Sequence, residues 1–179
     1  MPRFQRTAHR ISLTAMFATM SLLFLYLASV LPTMRIAMYF LSSVFVMGLV
    51  VEEEIGLALI MFTGVSLLSL LLMPNILRVV PYILFFGHYG IFKHYAETRI
   101  KDKVIRYVLK LLYYNAALGL MYLLARQIVN EDILQHEFFR NAIWLVIVLA
   151  QIAFIVYDYA FAKVTVFYFN NIRRLLMKN

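Results

Sequence analysis

Six apolar stretches, each near the length of one bilayer crossing, succeed one another along this 179-residue chain. A helix needs about 17–25 predominantly apolar residues to cross the hydrocarbon core of a membrane. Inside that core every backbone N–H and C=O must be satisfied within the protein, which leaves the α-helix as the natural solution for such stretches. The first stretch covers about residues 11–31 and stops at Pro32-Thr33. The second, Ile36 to Val51, is short and lies between Arg35 and the run Glu52-Glu53-Glu54. A third, about 55–73, starts on those glutamates, which favour a helix N-terminus through its dipole, and ends at Pro74-Asn75. The fourth, about 79–95, contains Pro81, Gly87 and Gly90 and reads as a full span or as a kinked or re-entrant one. The fifth and sixth cover about 104–125 and 142–163. Beyond Lys163, the apolar residues Val166, Phe169, Ile172, Leu175 and Leu176 of a basic, aromatic tail recur near helical spacing, which predicts a helix lying on the membrane surface. The expected fold is therefore all-α: one integral membrane bundle of about six helices comprising residues 1–179, with no second domain and no internal repeat.

Composition agrees with this reading. Hydrophobic residues make up 64% of the chain and charged residues only 15%, against about 25% charged in a soluble domain. There is too little polar surface to clothe a water-soluble globule. Cysteine is absent, which excludes disulfides and thiolate chemistry. The net charge of +8 is explained by topology rather than by nucleic acid, since no soluble domain carries a basic patch. With the N-terminus in the cytoplasm, the inner segments hold Arg3, Arg6, Arg10, Lys93, Arg99, Lys101, Lys103, Arg106, Lys163, Arg173, Arg174 and Lys178. The outer segments hold only Arg35, Arg78, Arg126 and Arg140. That asymmetry places both termini inside. The first apolar run is too long for the hydrophobic region of a signal peptide, so it is expected to remain as a span.

The chain lacks a phosphate-binding glycine loop with its Lys and Ser/Thr, and it lacks HExxH, paired-Asp and GxSxG motifs. Its histidines, His9, His88, His94 and His136, are scattered over different segments and depths. No enzyme, metal site or cofactor is expected from these residues.

Polar residues inside spans carry more information, because each is expensive to keep there. In the fifth span Asn115, Gly119, Tyr122 and Arg126 share one helix face, and in the sixth Arg140, Trp144, Gln151 and Asp158 do so. Together the two faces predict a polar seam rising to an outer mouth, with His88, Ser42 and Ser43 at comparable depth. As a ligand site the seam is lined by Tyr82, His88, Asn115, Tyr122, Arg126, Arg140, Trp144 and Gln151. As interhelical glue, the same amides and the imidazole merely hydrogen-bond helix to helix. The outer arginines either converge on a carboxylate or phosphate, or snorkel to lipid headgroups. Asp158 lies inside the inner boundary and needs a partner, for which Lys110 at similar depth is the candidate. On the first span, Ala8, Ser12, Ala15 and Thr19 form a small-residue stripe that lets another helix approach, either within the bundle or from a partner.

The size, the six-span plan, the basic start leading into Arg10–Ala18 (RISLTAMFA) and the small-residue stripe together resemble the substrate-binding S component of energy-coupling factor transporters, the micronutrient importers of bacteria. The segment Val80–Gly90 (VPYILFFGHYG) also resembles uncharacterised six-span membrane proteins of Gram-positive anaerobes. The resemblance to the S component implies a location in the bacterial cytoplasmic membrane. It further implies docking of the first-span stripe on a transmembrane coupling subunit that carries separate ATPases, and an outward-opening pocket for an unknown small molecule. The opposing expectation is a non-transport scaffold or assembly protein whose seam only packs helices.

Overall fold

A computed structural model of the chain describes residues 3–31, 33–128 and 137–168; for residues 3–7, 9, 125, 128, 137–144 and 146 it describes the backbone alone. Among the described residues the fold is all-α, with six α-helices: α1 (Arg3–Val30), α2 (Arg35–Val51), α3 (Ile55–Leu72), α4 (Gly87–Arg99), α5 (Lys103–Ile128) and α6 (Glu137–Phe167). Four of them contain segments long and apolar enough to cross a membrane: Arg10–Val30, Ile55–Leu72, Lys103–Leu124 and Ile147–Phe167. The helix α2 is apolar but shorter.

Local chemistry sets the helix ends. The chain leaves α3 through Met73, which is extended (φ −83°, ψ 136°), because a residue before proline is driven out of the helical region, here by Pro74. Asp102 caps α5, its Oδ1 accepting from the N–H of Val104 at 2.7 Å. At the end of α2, Glu53 adopts a left-handed conformation (φ 63°). Its N–H bonds to the carbonyl of Val50 at 3.0 Å, and the N–H of Glu54 bonds to that of Leu49 at 3.0 Å. These are the two bonds of a Schellman C-cap, with glutamate where glycine is usual.

The fourth apolar stretch is helical without a break from Val80 to Arg99. A π-helical stretch, Tyr82–Phe86, runs directly into α4, and Gly87 at the junction is helical (φ −66°, ψ −32°). Pro81 does no damage because it lies in the first turn, where its missing N–H would have no partner. Just before it, a 3-10 turn (Ile76–Arg78) is capped by the Asn75 side chain.

The helices pack around α2, which contacts α1, α3, α4 and α6. This explains how the shortest apolar helix is the most enclosed: Tyr39, Ser42, Ser43, Val46, Met47, Gly48, Leu49 and Val50 are all buried. Close approach depends on missing side chains. A Cβ on Gly48 would lie 2.7 Å from the Phe17 ring, and one on Gly87 would lie 2.6 Å from Phe62. Serines satisfy each other across these contacts. Ser21 Oγ and Ser42 Oγ are 2.7 Å apart, and Ser42 Oγ also donates to the Ser21 carbonyl at 2.9 Å.

We call the end of the bundle where α1 begins basal and the end where α1 finishes apical. Arg10 ties the basal end to the α2–α3 turn through a 2.8 Å ion pair with Glu54. The outer helices α5 and α6 are less enclosed. Val104, Leu112, Leu120, Leu145, Val148 and Val156 are among their many exposed apolar side chains, a surface for which hydrocarbon is the suitable solvent. The sixth helix is longer than its sequence suggests. It passes Lys163 without a break to Phe167, and Tyr168 is buried with its ring edge-on to Phe17 at 6.4 Å. The start of the expected surface helix therefore continues α6, and Tyr168 finds its burial in the bundle; residues 169–179 lie outside the described residues.

Candidate functional site

On α4, Tyr89, Lys93 and Glu97 recur every fourth residue and so share one face. That face meets Lys110 from α5 and Asp158 from α6, and the five side chains form a network at the basal half of the bundle. Lys93 is 2% exposed and Lys110 is 5% exposed. Burial of two ammonium groups at such depth demands counter-charges. Lys93 Nζ donates to Asp158 Oδ1 and, at 3.0 Å, to the Asp158 backbone carbonyl. Lys110 Nζ donates to Glu97 Oε1 at 2.6 Å and lies 3.4 Å from each carboxylate oxygen of Asp158. Tyr89 Oη donates to Asp158 Oδ1 at 2.6 Å. The Phe161 ring, 5.9 Å from Lys93 Nζ, adds a π face to the same cation.

Two ammonium groups and two carboxylates sum to zero, so the network is electrically closed. Asp158 is its centre, touched by both lysines and by a phenol. Glu97 is its open edge, with a side chain 41% exposed. Chemically, such an arrangement locks three helices in register. The sequence pointed to Lys110 and Asp158 alone and counted Lys93 with the loop cations at a span end. The missed signal was the Tyr89–Lys93–Glu97 spacing, which puts a cation between two hydrogen-bonding groups on one face.

The polar seam forms only in part. Gln151 Nε2 donates to Asn115 Oδ1 at 2.8 Å, and Asn115 Nδ2 donates to the Leu111 carbonyl at 2.8 Å. At the adjacent positions, Tyr114 Oη donates to the Ala150 carbonyl at 3.0 Å. Tyr122 and Arg126 are exposed on α5, beyond these contacts. The side chains of Arg140 and Trp144 lie outside the described residues. Tyr82 is not on the seam. It is fully buried, and its hydroxyl sits 3.3 Å from Ser21 Oγ between α1 and α2. Ser43 approaches the Tyr157 hydroxyl at 3.3 Å instead of facing Asn115. His88 stacks on Phe62 with ring centroids 5.2 Å apart and meets the Tyr113 ring at 5.6 Å.

A cavity of about 10 Å³ between α2 and α6 is lined by Val44, Met47, Gly48, Val51, Phe161, Val164, Thr165 and Tyr168. That is about the space of one water molecule, and its lining is apolar. No seam residue borders it.

The first-span stripe has a clear orientation. Ala8, Ser12, Ala15 and Thr19 are exposed, whereas Phe17, Ser21, Leu25 and Ala28 on the opposite side of α1 are buried. The stripe therefore faces away from the bundle's own helices. At the apical end, Arg78 is fixed inside the fold: its Nη1 donates to the Ser29 carbonyl near the end of α1, and its own carbonyl accepts from the Tyr39 hydroxyl. No family model matches this chain, and no curated protein or solved structure matches it either.

Proposed function

We propose that the chain is a membrane-embedded, small-molecule binding subunit of an importer, energised by a separate ATP-driven module on which it docks through α1. In this reading all six helices cross the bacterial cytoplasmic membrane, with both termini in the cytoplasm. The π-helical stretch and α4 together make the fourth crossing, and α2 crosses in the shelter of its neighbours despite its length. The observation that supports docking is the outward orientation of Ala8, Ser12, Ala15 and Thr19. Small side chains allow backbones to approach closely, and among the described residues nothing covers that face. The resemblance to the S component supplies the partner, a transmembrane coupling subunit.

A second reading is an assembly protein that binds no solute. Its support is that Tyr82 is fully buried and that Gln151 bonds Asn115 from helix to helix.

One experiment separates the two readings. Wild type and Ala15→Leu are purified, melted, and tested for capture of candidate coupling subunits, with copurifying solutes identified by mass spectrometry. The importer reading expects wild type to carry a solute and capture a coupling subunit, and Ala15→Leu to melt normally but lose capture. A wild type that carries no solute and captures no coupling subunit overturns the importer reading and leaves the assembly protein.

A further inference from the structure

We propose that the apical end of the bundle holds a phosphate group between Arg35 and Arg78. Arg35 is the first residue of α2, and Tyr39 follows it one turn later on the same face. The Tyr39 hydroxyl reaches the backbone of Arg78, and both guanidinium groups lie within electrostatic reach of that hydroxyl. The fold thus draws two permanent cations to one buried tyrosine.

Among the described residues neither cation has a carboxylate partner. Every carboxylate among the described side chains, Glu52, Glu53, Glu54, Glu97, Asp102 and Asp158, belongs to the basal half of the bundle. Arg78 commits one donor to the Ser29 carbonyl, and among the described residues its other guanidinium N–H groups have no acceptor. Arg35 Nε is buried and has no hydrogen-bond partner among the described residues. A buried donor left unmade is costly, so this nitrogen marks a place where an acceptor belongs. Beside it, the N-terminus of α2 opens with Met34 at the N-cap and no side-chain cap, so its first N–H groups and its dipole add to the same positive field.

Two guanidinium forks and a helix N-terminus need more acceptors than the two oxygens of one carboxylate. A phosphate, with its several oxygens and its match to the arginine fork, meets that demand. Its source is either a phospholipid headgroup at the membrane surface or a free phosphate. The site is independent of the solute and of the α1 docking face, so its fate does not depend on the importer reading.

The test uses the full chain purified in an uncharged detergent and followed by thermal melting. One arm adds inorganic phosphate against sodium chloride of equal ionic strength. The other adds phosphatidylglycerol against a diacyl glycolipid that carries no phosphate. The expected result is a raised melting point in at least one arm, with the shift lost in Arg35→Gln. A response to phosphatidylglycerol alone assigns the headgroup, and a response to inorganic phosphate assigns the free anion. If Arg35→Gln does not fold, Arg35→Lys takes its place; it keeps the charge, loses the fork, and should need more of the same additive for half its effect. The proposal is overturned if neither arm exceeds its control, or if the arginine variant responds as strongly as wild type.

Discussion

Lys93 of α4 grips Asp158 of α6 twice, through the carboxylate and through the backbone carbonyl of the same residue. The double contact fixes both the charge and the height of α6 against α4. Lys110 touches the same carboxylate only at 3.4 Å and has Glu97 at 2.6 Å. The two lysines are therefore unequal partners of Asp158.

This inequality is measurable. Removing one partner of a buried ion pair leaves an uncompensated charge and costs about 3–5 kcal/mol. Asp158→Ala should lower the unfolding free energy in detergent by an amount of that order. Adding Lys93→Met should recover a large part of the loss, and adding Lys110→Met should recover much less, because Lys110 keeps Glu97. A double-mutant cycle with greater coupling for Lys110 than for Lys93 would contradict this geometry.

Two helical glycines should respond oppositely to alanine. At Gly48 a Cβ would meet the Phe17 ring at 2.7 Å, whereas at Gly119 nothing lies within 4 Å. Gly48→Ala should destabilise by about 1–3 kcal/mol through overpacking. Gly119→Ala should stabilise by about 0.5–1 kcal/mol through helix propensity alone. Combining Gly48→Ala with Phe17→Leu should restore part of the loss, which equilibrium unfolding of the three variants beside wild type reads directly.

The left-handed glutamate at the end of α2 is the third target. An L-residue in that conformation costs roughly 1–2 kcal/mol relative to one without strain. Glu53 occupies it at φ 63° because the Schellman bonds from Glu53 and Glu54 require a left-handed residue at that point. Glu53→Gly should raise the melting point, and the β-branched Glu53→Val should lower it. Equal melting points for the two variants would show that the turn relaxes freely.

The all-α class and the order of the helices were legible in the sequence, because the cost of an unsatisfied backbone group in hydrocarbon leaves little choice for successive long apolar stretches. Pro74 likewise marked its helix end, since proline sterics act over one or two residues. The local register of Asn115 and Gln151 on their own helices was also readable from a period of 3.6 residues. Which faces then meet was not. Tyr82 left the expected seam for Ser21 because the π-helical stretch rotates the residues before Gly87 relative to those after it. Lys93 became the main partner of Asp158 because α4 sits against both α2 and α5, which presents its basal face to α6. The outward turn of Ala15 follows from Phe17, Ser21 and Leu25 having filled the inward one. Periodicity along a helix is set by the backbone, so one chain segment is enough to reveal it. Rotation and depth of one helix against another are set by side chains that come from elsewhere in the chain, and only the packed bundle decides them.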